Sequence, residues 1–221
     1  MTKTEDPGPT TREVAAIILA AGQSQRMGAF KPLLPFGTKT VIDICIGYLR
    51  GGGVETVIVV LGQGPSAAQL KDHLKDSDVT FAINANAASE MSASIACGVR
   101  QLPFQTKAVL ITPVDHPAVP SEVVTMLIDE WKKGARLVMP TSNGRGGHPV
   151  LIDLSCRNEL LGLDPACGLK GLFDAHPDQV RRVSVSSKYI ARDMDTWDDY
   201  RALHQEVYGV LPQKPPFPEQ N

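Results

Sequence analysis

Ile17–Pro35 reads IILAAGQSQRMGAFKPLLP, and this stretch decides the fold. The apolar run that enters it, Val14 to Ala20, has the length and β-branched content of a strand buried on both faces, and it stops at Ala21-Gly22. The loop that follows is suited to holding phosphate. Ala20, Ala21, Gly22 and Gly28 keep side chains out of the way, so several backbone N–H groups can approach one anion. Arg26 adds a planar cationic fork and Lys31 a mobile point charge. Small residues, donors and cations together point to a nucleoside triphosphate. The spacing excludes two familiar phosphate loops. Lys31 is not preceded by glycine, as a Walker A loop requires, and Gly22-Gln23-Ser24 lacks the second glycine of a dinucleotide fingerprint.

Outward from the loop, apolar runs alternate with helical patterns, which predicts an α/β fold with a mainly parallel sheet and right-handed crossovers. Thr40 to Leu49 reads as a helix stopped by Gly51-Gly52-Gly53, and Val54 to Leu61 as a second buried strand. A helix over Ser66 to Leu74 leads to a third strand, Val79 to Ile83, and a further helix runs from the Ser89–Ser94 region to about Leu102. Strands are expected over Lys107–Thr112, Arg136–Pro140 and Val180–Val185, with a helix from Ser121 to Lys133. Ligands of such sheets collect beyond the carboxyl ends of the strands, so the segments leaving each strand carry the candidate site. One such segment is Pro113-Val114-Asp115-His116-Pro117, where Asp115 is a hard oxygen ligand placed to meet a metal on a triphosphate and His116 reads as a turn residue.

Composition bounds the rest. The chain has 221 residues, 43% hydrophobic and 21% charged, with a formal net charge of −2, so nothing suggests nucleic acid as a partner. Residues 13–209 are expected to form one domain, with a flexible leader over 1–12 and a Pro-rich disordered tail over 210–221. Cys45, Cys97, Cys156 and Cys167 form no C-x-x-C pair, and no apolar run is long enough to span a membrane or form a secretory core. A cytoplasmic protein with reduced thiols is the expectation.

Leu19-Ala20-Ala21-Gly22-x-Ser24-x-Arg26-Met27-Gly28-x-x-Lys31-x-Leu33-Leu34-Pro35 closely resembles the signature loop of the nucleotidyltransferases related to molybdenum cofactor cytidylyltransferase. The resemblance extends in chain order from Val14 to about Leu203. It implies a three-layer α/β/α, Rossmann-like fold of the GT-A nucleotide-diphospho-sugar transferase type. It also implies transfer of CMP from CTP to the phosphate of molybdopterin, with Mg²⁺ as cofactor and a molybdenum enzyme as a possible partner. On this resemblance Leu19, Ala20, Ala21, Gly22, Ser24, Arg26 and Lys31 bind the nucleotide, with Ser92 and Ser94 of a Gly-Met-x-x-Ser-like stretch in which Glu90 replaces glycine. Arg26, Lys31 and Asp115 become the catalytic set. Asp115, in an Asp-x-Pro-like segment, and Asp195, before Thr196, share the metal, and His148, Lys170 and Asp193 fall on the acceptor side. Lys170 stands where relatives carry arginine and Trp197 where they carry proline. Cytidylyltransferases of the family carry Leu-Ala-Ala-Gly, which makes Ala21 the candidate base selector. Two other functions fit the same donor loop: activation of a sugar or polyol phosphate, and a non-catalytic nucleotide-binding accessory to molybdenum enzymes.

Overall fold

The structure is a computed structural model that describes residues 13–22, 27–86 and 90–212. The expected leader and nearly all of the expected tail lie outside these residues, as do Ser24 and Arg26. The chain opens with β1 (Val14–Ala20), followed by a small hairpin of β2 (Pro35–Phe36) and β3 (Lys39–Thr40). Helix α1 (Val41–Gly51), β4 (Thr56–Leu61), α2 (Pro65–His73), β5 (Thr80–Ile83), α3 (Met91–Arg100) and β6 (Ala108–Pro113) complete the first half. The second half holds α4 (Ser121–Lys132), β7 (Leu137–Ser142), β8 (Arg145–Gly146), β9 (Val150–Asp153), α5 (Arg157–Leu161), α6 (Gly168–Ala175), β10 (Val180–Ser184) and α7 (Trp197–Tyr208).

The main sheet runs β10-β7-β9-β6-β1-β4-β5, with β8 paired to β7. β1 lies at its centre, parallel to both neighbours, with Ile17 opposite Ile58 of β4 and Ile111 of β6. β9 is the antiparallel insertion, pairing against β6 and β7. This mixed but mostly parallel arrangement agrees with the sequence expectation.

Alternation along β1 builds the three layers. Ala16, Ile18 and Ala20 face one buried cluster with Ile42 of α1, Leu127 of α4 and Leu203 of α7. Ala15, Ile17 and Leu19 face the other with Ile95 of α3, Leu160 of α5 and Phe173 of α6. α3 lies close against the sheet because it carries glycine at the contact: a Cβ on Gly98 would sit 2.8 Å from Ile17 Cγ2 and 3.0 Å from Val60 Cγ2.

Local signals set most boundaries. Thr40 caps α1 in a capping box with Asp43, so it precedes the helix where the sequence reading had started it. β4 begins at Thr56, two residues later than expected, because Val54 N–H is held by the Leu49 carbonyl in the turn that ends α1. Asn143 (φ 50°) and Gly144 (φ 76°) form a two-residue turn that closes β7 onto β8, with Ser142 opposite Arg145. Since β1, β4, β5 and β6 run parallel, their carboxyl ends share one edge. There the Val114 N–H bonds the Leu19 carbonyl at 3.1 Å, and the Asn84 N–H bonds that of Leu61 at 2.8 Å.

Candidate active site

Lys31 opens a short 3₁₀ turn, Lys31–Leu33, that Pro32 favours, and its side chain is almost wholly buried at that shared edge. Its Nζ lies 2.8 Å from Asp195 Oδ1 and 3.6 Å from Asp115 Oδ2. One ammonium thus sits between two carboxylates contributed by segments far apart in the chain. Asp115 follows β6, steadied by the hydrogen bond of Cys45 Sγ to the Val114 carbonyl and by the Tyr48–Thr112 hydroxyl pair just before it. Asp195 follows the 3₁₀ turn Lys188–Ala191, where Ile190 and Met194 are fully buried and root the segment.

Burial raises the Asp115 carboxyl above its ordinary range, the Asp195 charge adds to that, and the Lys31 ammonium opposes it. The Oδ1 of Asp115 is buried without a hydrogen-bond partner. His116 stands next to it, Nε2 3.6 Å from that oxygen, and its ring lies 5.2 Å from the ring of His148. Burial lowers both imidazoles. His148 falls to about 4, with the neighbouring His116 also opposing its charge, while the charges of Asp193 and Asp195 act on His116 in the opposite sense to burial. The Nδ1 atoms of both rings are also buried and unpartnered.

Of the expected site residues, Lys31, Asp115, His148, Asp193 and Asp195 therefore converge. Lys170 does not join them. It is an exposed residue of α6 whose Nζ pairs with Asp174 at 2.8 Å. Leu19 and Ala20 are the buried end of β1, while Ala20, Ala21 and Gly22 line a cavity of about 260 Å³ with Phe30, Gln63 and Ser66. Ser92 and Ser94 are buried in the first turn of α3, but neither is its N-cap. That position is Glu90, and Ser94 Oγ instead accepts a hydrogen bond from Asn84 Nδ2 at 2.9 Å.

Sequence reading missed two contributors. In sequence His116 reads as a turn residue and Trp197 as a departure from proline. The Trp197 indole N–H bonds the Met27 carbonyl at 2.9 Å, tying α7 to the signature loop. No local pattern announces that bond, because the two residues lie 170 positions apart.

Among the described residues no three or more His, Cys, Asp or Glu side chains form a ready-made metal cage. The donor set nevertheless fits a hard divalent ion completed by ligand oxygens. Asp115 and Asp195 already bracket one cation, and Asp115 presents an unsatisfied carboxylate oxygen. No helix of the described residues is long and apolar enough to cross a membrane.

A small-residue loop beside a cavity and two remote carboxylates sharing one ammonium suit transfer of a nucleotidyl group, and, with the family match given next, the protein is a nucleotidyltransferase. Residues 16–180 match the MobA-like NTP transferase domain, and the chain belongs to that family. Molybdenum cofactor cytidylyltransferase of Escherichia coli is 25% identical over 189 residues, spanning 85% of this chain and 93% of the relative. Nicotine blue oxidoreductase of Paenarthrobacter nicotinovorans is 26% identical over 200 residues, spanning 86% and 96%. In fold, the chain matches the crystal structure of Rv0371c from Mycobacterium tuberculosis with a TM-score of 0.79 at 24% identity, covering 89% of this chain and all of that one. The structure of that protein in complex with manganese gives a TM-score of 0.72 at 23% identity, covering 88% of this chain and 99% of that one.

Proposed function

We propose that this protein transfers CMP from CTP to the terminal phosphate of molybdopterin, releasing pyrophosphate, with Mg²⁺ as the metal. The observation that carries the reading is the Lys31 ammonium held between Asp115 and Asp195. That arrangement brings two carboxylates from distant segments to one ammonium before substrate arrives. Similarity to the cytidylyltransferase of Escherichia coli supports the choice of acceptor.

In this reading Ala21 and Gly22 admit the nucleotide to the cavity beside Phe30, Gln63 and Ser66, and the side chain of Ala21 limits the size of the base. Asp115 and Asp195 would hold Mg²⁺, which would supply positive charge to the reacting phosphates. The Lys31 ammonium is proposed to stabilise the β- and γ-phosphates. Arg26 is proposed as the second cation there. Positioning and charge neutralisation then suffice, with no covalent nucleophile.

The test is pyrophosphate release with each of the common NTPs and Mg²⁺, with and without molybdopterin. Release from CTP only when the pterin is present is the expected result, and release driven instead by a sugar or polyol phosphate would transfer the assignment to that acceptor. Lys31→Ala should lower kcat/KM by on the order of 10²–10³. Near-normal turnover of that variant with saturating CTP and Mg²⁺ would remove Lys31 from the chemistry.

A further inference from the structure

Asp115 and Asp195 come from loops with no strand pairing between them, yet a shared metal requires their separation to hold within a few tenths of an ångström. Something has to set that distance. The segment before Asp195 is gripped from two sides. His148 N–H donates to the Ile190 carbonyl at 2.7 Å, and the approach is so close that a Cβ on Gly147 would lie 2.2 Å from the Ile190 oxygen. The ring of His116, the residue after Asp115, holds its Nε2 3.6 Å from Asp115 Oδ1. The two rings then lie against each other at 5.2 Å. The β6 end, the turn before β9 and the 3₁₀ turn at Tyr189–Ile190 are therefore joined at a single point.

We infer that Gly147, His116 and His148 are positioning residues that fix the Asp115–Asp195 separation and so set the affinity of the site for a divalent ion. This rests on the proposal that the two carboxylates share a metal. His148 then acts through the backbone of the Asp195 segment and need not touch the acceptor. Ligand carboxylates are oriented by such outer contacts, and losing one contact weakens metal binding by about 10- to 100-fold.

The experiment is titration with Mn²⁺, read by electron paramagnetic resonance, on the full chain saturated with α,β-methylene CTP. Wild type is compared with Asp115→Asn, Asp195→Asn, His116→Ala, His116→Gln and Gly147→Ala, and melting temperatures and analogue affinity are measured in EDTA in parallel. His116→Ala and Gly147→Ala should each weaken Mn²⁺ binding by about 10-fold or more, with metal-free affinity for the analogue unchanged. His116→Gln, which restores a side-chain N–H, should recover most of the loss. If Gly147→Ala does not fold, the His116 pair carries the test. Mn²⁺ binding lost in the two carboxylate variants but kept in His116→Ala and Gly147→Ala overturns the positioning role alone, as does a His116→Gln variant no better than alanine. Mn²⁺ binding indifferent to both carboxylates overturns the metal reading beneath it.

Discussion

His148 shows how far one side chain can be moved from its behaviour in water. Burial and the adjacent His116 hold its ring neutral down to about pH 4, against an ordinary value of 6.5. Between those two values the unfolded chain binds a proton that the folded chain refuses, so the stability of the fold rises with pH across the window. This contribution is fully present above about 6.5 and is lost as pH falls toward about 4; it amounts to no more than about 3 kcal/mol. His116, lowered by burial as well, acts with the same sign. Asp115, raised by burial, acts in the opposite sense, since the folded chain holds its proton to higher pH than the unfolded chain does. Urea unfolding of wild type and His148→Gln at pH 7, 6 and 5 isolates the imidazole. The difference in stability between the two proteins should shift in favour of His148→Gln as the medium is acidified, and a pH-independent difference would show that the ring titrates as it does in water. His148 was legible in the sequence as a candidate only through the family resemblance. The pairing of His148 with His116 was not, because it depends on two loops that meet only after the sheet has formed.

At the scale of elements, α7 is a buttress for the signature loop. Its Trp197 indole holds the Met27 carbonyl, and the Tyr200 hydroxyl donates to the Pro35 carbonyl. One turn further on, His204 Nε2 accepts the Gly37 N–H at 3.1 Å. Phe36 packs its ring edge-on against His204 and Tyr208 at 5.5 and 5.2 Å. The start of this helix could be read in advance, since Thr196 and Asp199 have capping-box spacing, and both reciprocal bonds are present. What the helix supports could not be read, because Trp197 and Met27 are 170 residues apart. The five-residue α5 also escaped the reading, being too short to show helical periodicity. Trp197→Phe keeps the ring's packing and leaves the Met27 carbonyl without its donor. Chemical denaturation should show a loss of about 1 kcal/mol, and steady-state kinetics a raised KM for the nucleotide with kcat little changed. A variant with wild-type KM would confine the indole to a purely structural role.

On the scale of the whole molecule, the sheet order separates two tasks and brings them together at one edge. β1 and β4 end beside the cavity proposed for the nucleotide, while the loops after β6, before β9 and after β10 bring in Asp115, His148 and Asp195. The alternation of strands and helices made that edge foreseeable, and the apolar runs fixed which strands are buried on both faces. The meeting of Lys31 with Asp195, 164 residues away, was foreseeable only through resemblance, since no local pattern encodes it. Such a meeting has an energetic cost. Asp115 is a buried carboxylate facing a second negative charge, with one oxygen unsatisfied and the Lys31 ammonium nearer to Asp195 than to it. Sites arranged for a ligand are often strained in the absence of that ligand. Asp115→Asn removes the buried charge while Lys31 keeps its shorter contact to Asp195, so the ligand-free variant should melt at a higher temperature than wild type. With Mg²⁺ and CTP at about 100 times Kd, wild type should gain about 2.7 kcal/mol, or roughly 5–11 °C for a chain of this size. The variant should gain little from the metal and turn over poorly. Melting curves with and without Mg²⁺ and CTP decide the matter: a variant that is less stable alone yet gains as much as wild type would show that Asp115 serves the fold and not the ligand.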